Sequence, residues 1–244
     1  MAMKSLVVED VKITPLKESV FVKPLSLEFR QNGKQRKWDM IRVHDSVTII
    51  IFNTTRQKLI CVKQFRPAVY YSSIPEDDKK SGRIDTSKHP PSLGITLEFC
   101  AGIVDKNKSL VETAREEVLE ECGYDVPLEK FEWFKTARYA AYCMLTPFHL
   151  ISTTINLLMI CVVHVIFRAG VSTEGTRSNF FYVEVTDDMK VNQGGGLVDE
   201  GEVIEVVELS IPEAREYAEA IDNISPAGFS FGLLWFFMKK SQTF

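Results

Sequence analysis

Two runs constrain the fold most. Ser46-Val47-Thr48-Ile49-Ile50-Ile51-Phe52 and Lys58-Leu59-Ile60-Cys61-Val62-Lys63-Gln64-Phe65 are separated only by Asn53–Gln57. Both are strand-length, rich in β-branched residues and apolar nearly throughout, the pattern of buried central strands. Shorter alternating runs precede them at Val11–Thr14, Val20–Lys23 and Leu25–Phe29. Asn32-Gly33 is a strong hairpin signal, with Lys37–Ile41 as the return strand. Further strands are expected around Leu97–Ala101, Phe131–Lys135, Asn179–Val185 and Val203–Leu209, and helices at Pro212–Ile221 and Ser225–Lys240. Many strands with few, well-placed helices predict an α/β sandwich built on a mixed sheet.

The segment Glu98–Tyr124, EFCAGIVDKNKSLVETAREEVLEECGY, carries the chemistry. Thr113–Cys122 reads as helix, with Glu116, Glu117, Glu120 and Glu121 packed into two turns and Gly123 suited to a left-handed C-cap. Positions three and four apart share a face, so Glu117, Glu120 and Glu121 project together. Glu-rich helices are commonly solvated faces. A carboxylate cluster is otherwise favourable only around a cation, and hard oxygen donors suit Mg²⁺ or Mn²⁺. The loop from Ala101 to Lys108 is placed to bring backbone carbonyls to the same ion.

The order of this segment resembles the Nudix box, G-x5-E-x7-R-E-U-x-E-E-x-G-U. Gly102, Glu117, Val118, Glu120, Glu121, Gly123 and Tyr124 fall at its spacing without a gap. Two positions depart: Lys108 stands at the box's first Glu, and Glu116 stands at its Arg, with Arg115 next door. Arg115 points about 100° away round the helix and is not a direct substitute. The resemblance implies a Nudix-type α/β/α sandwich and metal ligands at Glu117, Glu120, Glu121 and the Ala101 backbone.

Three further segments extend the resemblance to the ADP-ribose and sugar-nucleotide pyrophosphatase branch. Gln64–Tyr70 is similar to that branch's QxRxA(V/A)Y, which implies Arg66 as a phosphate or sugar contact, together with Glu98. By residue chemistry alone, Arg66 is suited to meeting a phosphate through two parallel hydrogen bonds or to a surface ion pair. Ser172–Thr176 resembles the branch's substrate loop and implies Glu174 as a substrate contact. Gly194–Glu202 resembles its late acidic loop, which implies Glu200 as general base, with Glu202 as second choice. Read alone, the three glycines make a flexible hinge, and the acidic run is either solvated or swings a carboxylate over the substrate.

The activity implied is Mg²⁺-dependent hydrolysis of the diphosphate bond of a nucleoside diphosphate sugar. UDP-glucose giving UMP and glucose 1-phosphate leads, with ADP-ribose or another ADP-sugar as alternative. A Nudix-fold protein that binds nucleotide sugars without turnover stays open because of Lys108 and Glu116. The branch's members are homodimers through N-terminal strands, which implies an arm at 1–45 and a catalytic domain at 46–244.

Composition narrows the remaining classes. Hydrophobic residues at 45% and charged residues at 25% belong to a globular protein, and a net charge of −4 with scattered basic residues argues against a nucleic acid polymer as partner. Cys61, Cys100, Cys122, Cys143 and Cys161 form no CxxC pair, which points to a reducing, cytoplasmic setting. Residues 71–96 are polar, contain Pro75, Pro90 and Pro91, and read as a long exposed loop. Cys143–Arg168 is apolar and reads as an insertion foreign to the functional fold. Its apolar stretch, interrupted by Asn156 and His164, falls short of the about 20 residues of a membrane helix.

Overall fold

A computed structural model describes residues 6–105, 107–133, 135–136, 163–164, 166–168, 172–197, 199, 201–220 and 223–240. The described strands are β1 (Lys23–Gln31), β2 (Lys34–Arg42), β3 (Ser46–Asn53), β4 (Lys58–Phe65), β5 (Ile95–Glu98), β6 (Cys100–Ile103), β7 (Glu132–Trp133), β8 (Lys135–Thr136), β9 (Val163–His164), β10 (Ile166–Arg168), β11 (Arg177–Val185) and β12 (Ile204–Ser210). The helices are α1 (Pro67–Ser72), α2 (Glu76–Lys79), α3 (Leu110–Cys122), α4 (Ile211–Glu219) and α5 (Ala227–Lys239).

The main sheet runs β10-β11-β3-β4-β12, with β5 on β4, β6 on β3 and β7 on β11. β11 lies parallel to β3 and the other described pairings are antiparallel, so the sheet is mixed as expected. The central runs read as continuously apolar because both faces are covered. Val47, Ile49 and Ile51 of β3 face Ala114, Val118 and Cys122 of α3. Ile50 and Phe52 face the other way, toward Ala214 of α4 and Phe229, Leu233 and Phe236 of α5. Each such fully buried aliphatic or aromatic side chain stabilises the fold by about 1.5–3 kcal/mol. This is an α/β/α sandwich.

Helix α3 starts earlier than its carboxylate cluster suggests, at Leu110. The Ser109 hydroxyl accepts from Glu112 N–H at 3.4 Å while the Glu112 carboxylate accepts from Ser109 N–H at 2.8 Å, a complete capping box. It ends at Gly123 with φ 77°, the left-handed cap read from the sequence. The expected strand at Leu97–Ala101 is in fact two, broken at Phe99. Glu98 lies opposite Val62 of β4, whereas Cys100 lies opposite Ile49 of β3. The switch of partner carries Glu98 and Ala101 to the same end of the sheet.

The segment read as an exposed loop at 71–96 is folded. It contains α2 and a 3-10 turn at Pro91–Gly94, and Ile74 and Ile84 pack with Tyr70 in a small core of their own. The Tyr70 hydroxyl donates to the His89 carbonyl at 2.5 Å, and the Asp78 carboxylate sits 2.9 Å from the His89 ring. Val11 and Phe65 pack against that small core from outside the segment. Of the early strands expected, Val11–Thr14 contributes only an isolated bridge from Lys12 to Arg83, and β1 begins at Lys23. β1 and β2 form a separate two-stranded ribbon closed by Asn32 and Gly33 at φ 52° and 78°, the two left-handed residues that such a turn requires. Most of Cys143–Arg168, with His149, lies outside the described residues. Its end does not: β9 pairs with β8, and β10 pairs with β11 in the main sheet.

Candidate active site

One cleft of about 790 Å³ opens at the end of the sheet where β5 gives way to β6. Glu117 and Glu121 of α3, Arg66 after β4, Glu98, the Ala101–Gly102 backbone and Glu202 all line it. The first turn of α5, Pro226–Phe229, closes another side. No acidic residue occupies that turn, so no side chain of its own offsets the partial positive charge of the helix N-terminus. Residues between 46 and 229 of the sequence therefore meet in one place.

Glu121 is the most constrained group. It is buried, and one carboxylate oxygen accepts from Ala101 N–H at 3.1 Å. Burial pushes its pKa up to about 8; a hydrogen bond from the Cys100 thiol and the one from Ala101 oppose the rise, while the charges of Glu117 and Glu202 add to it. Glu117 lies against the backbone of Gly102, where an added Cβ would fall 1.9 Å from its Oε1. Any side chain at 102 would push the Glu117 carboxylate out of this position. Among the described residues no three acidic, imidazole or thiol groups already stand as a metal ion would hold them. The donor set nevertheless fits a hard divalent cation in charge and chemistry, because Glu121 is a buried carboxylate whose charge is opposed by two neighbouring carboxylates.

Glu120 is not among the described residues that line the cleft. Successive helix positions turn by about 100°, so Glu121 lies about 40° to one side of Glu117 and Glu120 about 60° to the other. The Glu120 carbonyl accepts from Gly196 N–H at 3.2 Å.

Arg66 and Glu98 were both read as substrate contacts, and the structure brings them to each other. Arg66 Nε and Nη2 donate to the two Glu98 oxygens at 2.8 and 2.6 Å. The Thr96 hydroxyl donates to the same carboxylate. Burial works against the Arg66 charge, but the Glu98 bonds and charge outweigh it, with help from Glu121 and Glu202, and hold its pKa above the ordinary value. The guanidinium edge read as meeting a phosphate is thus engaged by Glu98. The two do not lie opposite each other: Glu98 pairs with Val62, and Arg66 follows the Phe65–Ile95 end, so the long Arg66 side chain reaches back along β5 to Glu98.

Glu200 lies outside the described residues. Glu202, the second choice for the base, is exposed to the cleft and accepts from Leu197 N–H at 3.0 Å. Glu174 is half-buried and is not among the described lining residues; Ser172 of the same loop is. The expected glycine hinge is docked instead. Gly195 N–H donates to Glu121 O at 2.9 Å and Gly196 N–H to Glu120 O, so the loop caps the end of α3. The two departures from the box pair with each other: Lys108 Nζ makes an ion pair with the Glu116 carboxylate. Three hydroxyls escaped notice in the sequence. Ser46, Thr48 and Ser178 line the cleft, with Ser178 Oγ 3.2 and 3.1 Å from the other two. Only the parallel register of β3 and β11 brings them together.

No family model matches the chain. It is 36% identical to the uridine diphosphate glucose pyrophosphatase of Bos taurus, over 94% of this chain and 94% of that one. The corresponding protein of Mus musculus is 34% identical with the same coverage. A GDP-mannose pyrophosphatase of Salmonella arizonae is 27% identical over 78% of this chain and 74% of its own length. With the box at Gly102–Tyr124 lining the cleft, these similarities place the chain in the Nudix hydrolases, among their nucleotide-sugar pyrophosphatases.

Proposed function

We propose that this protein hydrolyses the diphosphate bond of UDP-glucose to UMP and glucose 1-phosphate. The observation that carries the reading is the convergence of Glu117, Glu121 and Glu202 on one cleft whose other walls are a helix N-terminus and the Arg66–Glu98 pair. A diphosphate needs positive potential around its oxygens and a carboxylate poised to take a proton from water. Mg²⁺, with Mn²⁺ as substitute, would be held by Glu117 and Glu121, with Glu120 and the Ala101 backbone as further ligands, and supplies the neutralising charge. The first turn of α5, at Ala227 and Gly228, would present helix N–H groups to phosphate oxygens. Glu98 holds the Arg66 guanidinium at the rim, where it faces the substrate. Glu174 is assigned to the nucleoside side of the substrate, on the loop that carries Ser172.

Glu202 is the described carboxylate of this loop that lines the cleft, and we assign it the proton-accepting role. Glu202→Gln is expected to lower kcat by about 100-fold, the scale of a lost general base. A larger loss in Glu200→Gln, with Glu202→Gln near wild type, would return the role to Glu200.

UDP-glucose, GDP-mannose and ADP-ribose incubated with Mg²⁺, with products identified, test the substrate. The highest kcat/KM on UDP-glucose, with UMP as product, is expected. Binding of all three with release of no nucleoside monophosphate would establish a binding protein instead. Lys108 and Glu116, at the two altered box positions, pair with each other and leave Glu117 and Glu121 facing the cleft.

The working unit we propose is a homodimer formed through the β1–β2 ribbon. Leu25, Leu27, Phe29, Trp38 and Met40 alternate onto one face of it, and Leu27 and Trp38 are more than half exposed in the single chain. A two-stranded ribbon is marginal alone, and a second copy would cover this face. The cytosol is the compartment proposed: Cys61, Cys100 and Cys122 are free thiols, and among the described residues no helix is long and apolar enough to cross a membrane.

A further inference from the structure

We infer that Gly194–Gly196 is a rigid splice that makes the end of α3 and the Glu202 carboxylate one body, and that Gly194 is its positioning residue. The last carbonyls of a helix have no partner within it. Here Gly123 N–H takes Leu119 O at 3.1 Å, Gly196 N–H takes Glu120 O at 3.2 Å and Gly195 N–H takes Glu121 O at 2.9 Å. The loop thus completes the helix in the turn that carries the cleft carboxylate Glu121. From there the connection continues by hydrogen bonds. Gly195 O accepts from Ile204 N–H at 3.2 Å, Leu197 O from Glu202 N–H at 3.2 Å, and the Glu202 carboxylate from Leu197 N–H at 3.0 Å.

Gly194 is what lets the two backbones meet. Its φ is 70°, and a Cβ there would lie 2.2 Å from Glu121 O and 2.8 Å from the Cys122 carbonyl carbon. Both obstacles are backbone, so no side-chain rotation relieves them. Alanine at 194 must lift the loop off the helix, moving Glu202 relative to Glu121 and Glu117. Gly33 is the matched control: its φ is 78°, yet nothing lies within 4 Å of its added Cβ. Gly33→Ala therefore carries backbone strain without a collision.

Two experiments on the full chain decide it, the second resting on the hydrolytic role proposed for Glu202. In wild-type hydrogen exchange, the Gly195 and Gly196 amides are expected to be as protected as those of α3; exchange at the rate of an open loop overturns the splice. In kinetics with UDP-glucose and Mg²⁺, Gly194→Ala is expected to lose about 100-fold in kcat, the scale of an ångström-sized displacement. KM should stay within about threefold, and the acidic limb of the kcat–pH profile should shift. Gly33→Ala should keep wild-type kcat and pH profile per folded molecule. A Gly194→Ala protein that folds and keeps wild-type kcat overturns the proposal, as does a loss of kcat no greater than its loss of folded protein. If wild type itself hydrolyses no nucleoside diphosphate sugar, the hydrolase reading fails, and exchange still decides the splice.

Discussion

Glu121 ties stability to activity at a single residue. Its pKa in the fold is about 8 because burial disfavours the charge, whereas in the unfolded chain it takes the ordinary carboxylate value. Between those two values the folded protein holds a proton that the unfolded chain has released. The contribution of Glu121 therefore falls as pH rises through that window. Metal-free Glu121→Gln is expected to melt above metal-free wild type at pH 8 and to converge with it near pH 5. Mg²⁺ should raise the wild-type melting temperature at pH 8 and leave the variant unmoved. The same variant should lose at least about 100-fold in activity, roughly 2.7 kcal/mol of barrier. Equal melting of the two metal-free proteins at pH 8 would contradict the buried charge. At this scale the sequence was informative wherever spacing along one element decides position: Glu117 and Glu121 could be placed from helical periodicity. It was silent where a register decides. Arg66 and Glu98 are 32 positions apart, and only the β4–β5 pairing turns a presumed phosphate fork into an ion pair.

Helix α3 and the loop before it form the next unit. Lys108 in that loop pairs with Glu116 on the helix, and both are partly exposed. An exposed pair contributes about 0.2–1 kcal/mol, too little to hold the fold but enough to bias where the loop rests beside Glu117. Charge reversal at one partner, Lys108→Glu, is expected to raise KM for the metal several-fold. The double reversal Lys108→Glu with Glu116→Lys should bring it back, as titration of activity against Mn²⁺ would reveal. No recovery in the double variant would show that the two side chains act independently. The end of the helix and the central strands were legible because their patterns are strong: a terminal glycine and unbroken apolar runs. The folding of 71–96 was not, since Ile84 joins Tyr70 and Ile74 from beyond α2, with Val11 and Phe65 packed on them from other segments. Nor was the docking of the three glycines, which depends on carbonyls some 70 residues earlier.

For the whole molecule, the ribbon face sets the expected assembly. Leu27→Glu places a charge in the middle of that face, far from the cleft in sequence and on a separate sheet. Light scattering after size exclusion should show a dimer for wild type and a monomer for the variant. A monomeric wild type would remove the proposed interface. The ribbon is also tied to the substrate loop, through Trp38 Nε1 donating to Ser172 O at 2.7 Å and Ile41 N–H donating to Thr173 O at 2.8 Å. A change at Trp38 or Ile41, though not one at the distant turn of the ribbon, is thereby felt beside the cleft.

The parallel pairing of β11 with β3 has a consequence for how the protein is made. Ser46 waits for Ser178, and Thr48 for Phe180, so the middle of the sheet stays open until about three quarters of the chain has been synthesised. Phe229, Leu233 and Phe236 then seal one face last of all. Contacts this distant close slowly, and until they do, the apolar strands β3 and β4 are exposed to other chains. A ribosome-stalled chain ending before α5 should remain open to protease and bind chaperone, and its release as the full chain should restore both protection and the cleft.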